Sequence, residues 1–233
     1  MDEPIKVIFL DFDGVINGCG LIVGLGTKIL HYKIFRFIER KILHTEMYGV
    51  HKSKVKRLAK ICKKTGAKIV LTSSWRESVF SFYNNFTEED LSTNWDHNSK
   101  KLAYFFKKYN IEVLGCTDRI EFRGKEICHW LMNYEGKINS FLILDDEYSH
   151  LPKMEVHTVF TTTNTPEKKI QGHWYCVDGL RPKHVREAIR RLNGIYYQDT
   201  CRRFITYYKI YCDHIDKVMQ RGYYNNLSHL YRE

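Results

Sequence analysis

The chain of 233 residues has little proline, no paired-cysteine motif and no long hydrophobic run. Only four prolines occur, and no repeat, low-complexity tract or Pro/Ser-rich linker divides the chain. The longest apolar stretch, 21–30, is interrupted by glycine and lysine, and a membrane span needs roughly 18 apolar residues. The first residues lack the basic start and apolar middle of a secretory signal. We therefore expect an intracellular protein, cytoplasmic or nuclear, with no membrane partner.

The cysteines and the charge narrow the class of protein further. Seven cysteines are present, but no two have the C-x-x-C spacing of zinc ribbons and redox motifs. We expect reduced, mostly buried thiols, since a free cysteine packs as a small hydrophobic residue. With 43% hydrophobic residues, the chain can form one globular domain of generous size. The net charge of +10 favours an anionic partner, of which nucleic acid is the commonest.

Apolar runs alternate with segments of helical periodicity along most of the chain. Five apolar runs are predicted strands: 6–10, 67–71, 111–114, 141–144 and 156–161. Five segments with apolar residues three and four apart are predicted helices: 28–43, 53–64, 100–109, 124–133 and 182–192. The strands at 6–10, 67–71 and 141–144 show no polar alternation, which is typical of a sheet buried on both faces. Strands separated by helices predict an α/β fold with a Rossmann-like, doubly wound parallel sheet.

Three predicted strands end in polar side chains. Asp11 and Asp13 follow the first, and they lie two apart, so in an extended segment they face the same side. The second ends in Thr-Ser-Ser at 72–74, and the fourth in Asp145-Asp146. In an open α/β sheet the ligand crevice lies at the carboxyl ends of the strands. Carboxylates held close together repel unless one is protonated or a cation lies between them, which suits Mg²⁺.

Other residues near these strand ends are suited to phosphate. Hydroxyl and backbone N–H groups at Thr72 and Ser73 can hold phosphate oxygens, and Arg123 and Lys125 offer cations just before a helix. Each element alone is weak, because a D-x-D or T-S-S segment is more often a solvated loop or a helix cap. Together, three buried strands that each end in the required group indicate a phosphoryl-transfer site.

The joint pattern resembles the four motifs of the haloacid dehalogenase (HAD) superfamily. The matching segments, in order within residues 5–192, are D-F-D-G-V, T-S-S-W, R-G-K-E-I and L-D-D-E. The runs L-T-S-S-W-R, R-G-x-E-I-x-x-W-L and I-L-D-D are similar in particular to the HAD domains of Swiss Army Knife RNA-repair proteins.

The resemblance implies a Mg²⁺-dependent phosphatase. Asp11 would attack phosphorus and form an aspartyl-phosphate, while Asp13 would protonate the leaving oxygen and later activate water. The residues it assigns to the phosphoryl group are Thr72, Ser73 and either Arg123 or Lys125. The residues it assigns to Mg²⁺ are Asp11, Asp13 (through its main-chain carbonyl), Asp145 and Asp146. The order of the last two as ligands is open.

The motif spacing has consequences for domains and substrate. It implies a phosphatase domain at 1–194 with only a small helical cap inserted at about 18–50. An amphipathic, aromatic-rich helical extension is predicted at 195–233, packed on the domain, and the polar stretch 84–99 is predicted to be a loop near the site. A lightly covered site admits bulky substrates. The sequence leaves the oligomeric state open.

Charge and aromatic residues favour nucleotide or polynucleotide phosphates, such as RNA or DNA ends, as substrates. Basic residues line two predicted helices: Lys52, Lys54, Lys56, Arg57, Lys60, Lys63 and Lys64 on one, and Arg186, Arg190 and Arg191 on the other. Aromatic residues that could stack bases are Trp75, Tyr83 and Trp95. Two alternatives remain: a phosphatase of small phosphorylated metabolites, and a nucleic-acid-binding module built on a HAD scaffold.

Overall fold

One parallel sheet organises the protein. The computed structural model describes residues 3–17, 49–87, 98–120, 123–147, 154–161 and 179–220, and of residues 211–220 it describes the backbone only. The strands are β1 (Ile5–Leu10), β2 (Lys68–Leu71), β3 (Val113–Cys116), β4 (Ile138–Asp145) and β5 (Thr158–Phe160). Their order in the sheet is β3-β2-β1-β4-β5, and every pairing is parallel. The predicted Rossmann-like α/β fold is confirmed.

The register brings the ends of the central strands level. Leu10 at the end of β1 is paired with Leu71 of β2 and with Leu144 of β4. The N–H of Asp11 donates to the carbonyl of Leu144, and the N–H of Thr72 donates to the carbonyl of Leu10, both at 3.0 Å. The residues at the ends of these three strands therefore lie side by side along one edge of the sheet.

Helices cover both faces of the sheet. They are α1 (Lys52–Thr65), α2 (Arg76–Asn84), α3 (Asn98–Lys108), α4 (Arg123–Asn133), α5 (Pro182–Asn193) and α6 (Ile195–Gln220). The crossovers from β1 to β2 and from β2 to β3 run in one direction, so their right-handed paths place α1 and α3 on one face. The crossover from β3 to β4 returns, which places α4 on the other face. Helix α5 packs beside α1, and α6 packs beside α4.

The core residues confirm this division of faces. Phe141 in β4 packs against Phe204 of α6 with ring centroids 5.4 Å apart. The preceding residue, Ser140, faces the other way and donates its hydroxyl to the carbonyl of Leu192 in α5. The hydroxyl of Tyr197, in the first turn of α6, donates to the carbonyl of Phe141 at 2.9 Å. The described part of α6 is thus packed on the sheet. No helix in the described ranges is long and apolar enough to cross a membrane.

Most predicted elements are present with small shifts. The strand predicted at 111–114 begins at Val113 instead, because the N–H of Ile111 bonds to the carbonyl of Phe106 and closes the end of α3. The strand predicted at 156–161 is shortened by a 3-10 turn at Glu155–His157. Helix α2 has no counterpart among the predicted elements.

Some predicted features fall outside the described residues. These are the helix at 28–43, nearly all of the cap at 18–50, residues 88–97 of the polar loop, Trp95, and residues 221–233 of the C-terminal extension.

Candidate active site

Asp11 lies directly after β1, at the edge of the sheet where the carboxyl ends of β1, β2 and β4 lie side by side. It is buried, with 3% of its surface exposed. Gly14 adopts a left-handed conformation (φ 66°), which glycine reaches without strain. A methyl group at this position would overlap the carboxylate of Asp146. The turn after β1 therefore requires glycine at position 14 for two reasons: the positive φ and the close approach of the backbone to Asp146 at the end of β4.

Three carboxylates converge beside this turn. Asp11, Asp145 and Asp146 each present one oxygen, and the three oxygens lie within 4.8 Å of one another. Asp145 is the last residue of β4 and is completely buried, while Asp146 is half-buried. Hydrogen-bonding geometry fixes Asp145 further, because its Oδ1 accepts the N–H of Glu147 at 2.8 Å.

Asp13 is close in sequence but differs in environment. Its side chain is exposed, and it is absent from the carboxylate group that could hold a metal ion within the described residues. One oxygen, Oδ1, accepts a hydrogen bond of 2.6 Å from the side-chain amide of Asn17. The carbonyl of Asn17 accepts a hydrogen bond from the buried Lys54 of α1. The neighbouring helix thereby supports the segment that orients Asp13.

Arg123 lies beside the buried carboxylates. Its Nη1 is 2.5 Å from Oδ2 of Asp145, and its Nη2 is 3.3 Å from Oδ1 of Asp11. Lys125, two residues further along α4, is half-buried. Among the described residues it forms no ion pair with these carboxylates. Of the two cations offered by the sequence, the structure brings Arg123 to the carboxylates.

One arginine does not balance the charge of the three carboxylates. Burial is the main cause that raises the pKa of Asp11 well above its usual range, Arg123 opposes it, and Asp145, Asp146 and Asp13 raise it further. Burial, followed by the charges of Asp145 and Glu147, raises the pKa of Asp146 to about 7. Carboxylates in this situation require either a proton or a further cation. Their oxygen ligands fit Mg²⁺, a hard cation that prefers carboxylates.

Thr72 and Ser73, at the end of β2, are both fully buried. The Oγ of Ser73 accepts a weak hydrogen bond from the N–H of Trp75 at 3.4 Å. The Oγ1 of Thr72 is buried without a hydrogen-bond partner in the described part of the chain. A buried hydroxyl left unpaired costs free energy, so this orphan group is suited to bind an oxygen of a ligand.

A buried ion pair next to these residues was not predicted from the sequence. The guanidinium of Arg76 donates to the carbonyls of Thr72 and Ser73, and its Nη2 lies 2.9 Å from Oε1 of Glu126 in α4. Oε2 of Glu126 accepts from the hydroxyl of Thr117. This pair joins the loop after β2 to the helix that carries Arg123. The only signal was that both residues fall inside the quoted runs L-T-S-S-W-R and R-G-x-E-I-x-x-W-L.

Thr161, just after β5, is a second residue that the sequence did not single out. Its buried hydroxyl donates to the carbonyl of Gly14 at 2.8 Å. Its N–H donates to the carbonyl of Asp145 at 2.9 Å. Thr161 therefore fixes the turn after β1 against the end of β4.

The comparison with protein families agrees with the motif resemblance. A family model described as "HAD domain in Swiss Army Knife RNA repair proteins" matches residues 7–166, which is more than half of the chain. Neither the comparison with curated proteins nor that with solved structures found a match. The matched range includes Asp11, Thr72, Arg123, Asp145 and Asp146. The chain belongs to the family of HAD domains found in Swiss Army Knife RNA repair proteins.

Proposed function

We propose that the protein is a Mg²⁺-dependent phosphatase that removes phosphate from nucleotides or polynucleotide ends through an aspartyl-phosphate on Asp11. Family membership indicates a HAD-type hydrolase in an RNA-repair context. The observation that supports the finer proposal is the convergence of the Asp11, Asp145 and Asp146 carboxylates beside Arg123.

The first chemical step is assigned to Asp11 and Asp13. A carboxylate oxygen of Asp11 forms a bond to phosphorus as the bond from phosphorus to the leaving oxygen breaks. The carboxyl of Asp13 gives its proton to that oxygen. Asp13 is suited to this role because it is exposed and Asn17 bonds only its Oδ1, which leaves its other oxygen available for proton transfer. A covalent intermediate divides one difficult substitution into two easier ones.

The second step returns the enzyme to its starting state. Asp13, now a carboxylate, takes a proton from water, and the water oxygen bonds to phosphorus as the bond to Asp11 breaks. Inorganic phosphate leaves, and Asp13 is protonated for the next cycle. The proton that Asp13 gave in the first step is thus replaced from water in the second.

Positioning and charge neutralisation provide most of the catalysis in phosphoryl transfer. In this proposal the carboxylates of Asp11, Asp145 and Asp146 and the main-chain carbonyl of Asp13 would hold Mg²⁺, which neutralises phosphoryl oxygens when it is bound. The unpaired hydroxyl of Thr72 and the adjoining Ser73 would bind phosphoryl oxygens. Arg123 holds Asp11 and Asp145 in place and adds a positive charge beside the reacting group.

A nucleotide or polynucleotide substrate is supported by the RNA-repair description of the family and by the net charge of +10. The proposed base-stacking role of Trp75 and Tyr83 gains no support. Trp75 packs edge-on against Phe12, and the Tyr83 ring is contacted by Lys107.

A parallel phosphate-release assay tests the proposal. The substrates are phosphorylated oligoribonucleotides, mononucleotides and sugar phosphates, each with Mg²⁺ and with a chelator. We expect Mg²⁺-dependent release that is fastest on the nucleotide substrates, and a loss of at least about 10³-fold in Asp11→Asn. The matched control is Asp199→Asn, which changes an exposed aspartate on α6 and should retain the wild-type rate. Wild-type rates in Asp11→Asn would contradict the proposal.

A further inference from the structure

Most of the lysines and arginines on the described helices lie on one face of the sheet. Helices α1, α3 and α5 carry fifteen lysines and arginines against a single acidic residue, Glu187. Helices α4 and α6 on the opposite face carry six basic and four acidic residues. The positive charge is therefore concentrated on the face that carries α1, α3 and α5, whereas residues that serve only solubility could be spread over both faces.

The exposed members of this set define what we call the basic face. On α1 and α5 they are Lys52, Lys56, Lys60, Lys63, Lys64, Lys183, Arg186 and Arg190. Of these, Arg190 is paired with Glu187, and the other seven have no ion-pair partner within the described ranges. Side-by-side helices of like charge repel each other, so this arrangement lowers stability unless an anion binds there.

The basic face begins next to the candidate active site. The N–H of His51, just before α1, donates to the carbonyl of Ile16 at 3.3 Å. The N–H of Leu180, just before α5, donates to the carbonyl of Val15 at 2.8 Å. Both helices therefore start at the turn that follows Asp11 and run away from it along the sheet. A polymer whose end lies at Asp11 can continue directly onto this face.

We propose that the basic face binds the phosphodiester backbone of single-stranded RNA whose terminal phosphate lies at Asp11. This inference rests on the proposed function and identifies the part of the protein that recognises a polymeric substrate. Lysines and arginines that neutralise backbone phosphates give strong binding with little sequence preference. The family description favours RNA over other polyanions.

The length of the basic face sets the size of RNA that it recognises. Helix α1 has 14 residues and is therefore about 21 Å long at 1.5 Å per residue. At the stacked, duplex-like spacing of about 3.4 Å per nucleotide, this length accommodates at most roughly six nucleotides, and fewer when the strand is extended. Affinity should rise with oligonucleotide length until the face is covered, and longer RNA should add little.

Two charge-reversal variants of equal net charge test the inference. Lys56→Glu combined with Lys60→Glu alters the exposed face of α1. Arg203→Glu combined with Lys209→Glu makes the same change in charge on the exposed face of α6, across the sheet. The binding of a labelled 12-nucleotide RNA is measured over a series of salt concentrations, without Mg²⁺. Phosphate release from a small aryl phosphate is measured with Mg²⁺.

The α1 variant should bind the RNA at least about tenfold more weakly, and its slope of log affinity against log salt should fall by about 1.4, at about 0.7 per lost phosphate contact. The α6 variant should bind within about twofold of wild type. Both variants should hydrolyse the aryl phosphate at the wild-type rate.

Three results would overturn the inference: equal losses in both variants, no binding of RNA by the wild type, or binding of anionic lipid vesicles without binding of RNA. Failure of the proposed function would look different. In that case the wild type would release no phosphate from any substrate, whatever the outcome of the RNA-binding measurement.

Discussion

At the scale of single residues, the hydroxyls of Thr72 and Thr65 differ in whether they have a hydrogen-bond partner. Its Oγ1 is buried and unpaired, whereas the buried hydroxyl of Thr65 at the end of α1 donates to the carbonyl of Ile61 at 2.8 Å. The two threonines therefore make a matched pair. If Thr72 serves the substrate, its hydroxyl benefits binding at the expense of stability.

We predict opposite effects of the same substitution at these two positions. Thr72→Val should raise the free energy of unfolding by about 1 kcal/mol, because it removes an unsatisfied buried group. The KM for a phosphate ester should rise. Thr65→Val should lower the free energy of unfolding by about 1 kcal/mol and leave KM unchanged. Urea denaturation and steady-state kinetics measure both effects. A destabilised Thr72→Val with normal KM would show that this hydroxyl is structural.

The ionisation of Asp146 makes the stability of the protein depend on pH. Its pKa in the folded protein is about 7, above the ordinary value of 3.8, so the folded state holds this proton more tightly than the unfolded state. The stability that the protonated group contributes is complete below about pH 4 and is lost as the pH rises toward 7. A bound cation replaces the proton, so Mg²⁺ should stabilise the protein more at high pH.

We predict that saturating Mg²⁺ raises the free energy of unfolding more at pH 8 than at pH 5. The difference should be on the order of 1 kcal/mol, since Asp146 is only partly buried, and it should be smaller in Asp146→Asn. Burial lowers the pKa of His157 and of His184 to about 4, so these groups destabilise the fold as the pH falls below 6.5. The two histidines have this effect with and without Mg²⁺. Their contribution therefore cancels when the free energies of unfolding with and without Mg²⁺ are subtracted at each pH. Equal stabilisation at both pH values would contradict the assignment of Asp146.

At the scale of secondary-structure elements, two ion pairs connect α2 to the segment around α4. The pair between Arg76 and Glu126 is buried, with 5% and 9% of the side chains exposed. The pair between Arg119 and Glu77 spans the same two segments and is exposed, at 55% and 60%. A buried charge that loses its partner is far more costly than an exposed one. The buried pair therefore fixes the loop after β2 relative to Arg123.

We predict that Glu126→Gln lowers the free energy of unfolding by about 3 kcal/mol, because it leaves Arg76 buried without a countercharge. KM should rise as well, since Arg76 holds the carbonyls of Thr72 and Ser73. The control, Glu77→Gln, should change stability by less than about 1 kcal/mol and leave KM unchanged. Similar effects of the two substitutions would show that the buried pair has no special role.

Helix α6 is joined to the sheet by aromatic packing. The ring of Phe204 lies 4.3 Å from that of His157 and 5.4 Å from that of Phe141, measured between centroids. Tyr207, three residues further on, is 53% exposed. We therefore expect α6 to unfold together with the sheet.

We predict that Phe204→Ala lowers the free energy of unfolding by about 2 kcal/mol within a single unfolding transition, as partial burial of a large core side chain implies. Tyr207→Ala should remain within about 0.5 kcal/mol of wild type, as surface substitutions generally do. Thermal unfolding followed by circular dichroism measures both. Two separate transitions in the wild type would mean that α6 unfolds independently.

At the scale of the whole molecule, the sequence predicts those features that depend on local periodicity and on chain order. The run at 141–144 indicates a buried strand because every residue is apolar, and parallel strands bring their carboxyl ends to one edge. These two facts place Asp11 and Asp145 at the same edge of the sheet, but their contact also requires that β1 and β4 be neighbours. Strand β5 is less predictable, since Val156 belongs to its apolar run but lies in a 3-10 turn and is 61% exposed.

Contacts between distant segments have no such local signal. Arg76 and Glu126 are 50 residues apart, and neither follows from a periodic pattern. The choice of Arg123 over Lys125 depends on how α4 begins, which the sequence leaves open. The basic face appears only when the packing of α5 beside α1 is known, because this contact between distant segments brings the two sets of basic residues together.

The formation of a covalent phosphoryl adduct on Asp11 is the most direct test of the account. The protein is mixed with Mg²⁺ and a phosphate ester, quenched in acid, digested and examined by mass spectrometry. We predict a phosphoryl group on the peptide that contains Asp11 and none in Asp11→Asn. With an aryl phosphate, whose leaving group departs without a proton, Asp13→Asn should accumulate more of this adduct, because only the second step is then slowed. Mg²⁺-dependent turnover at the wild-type rate in Asp11→Asn, with no adduct on that peptide in the wild type, would contradict the account.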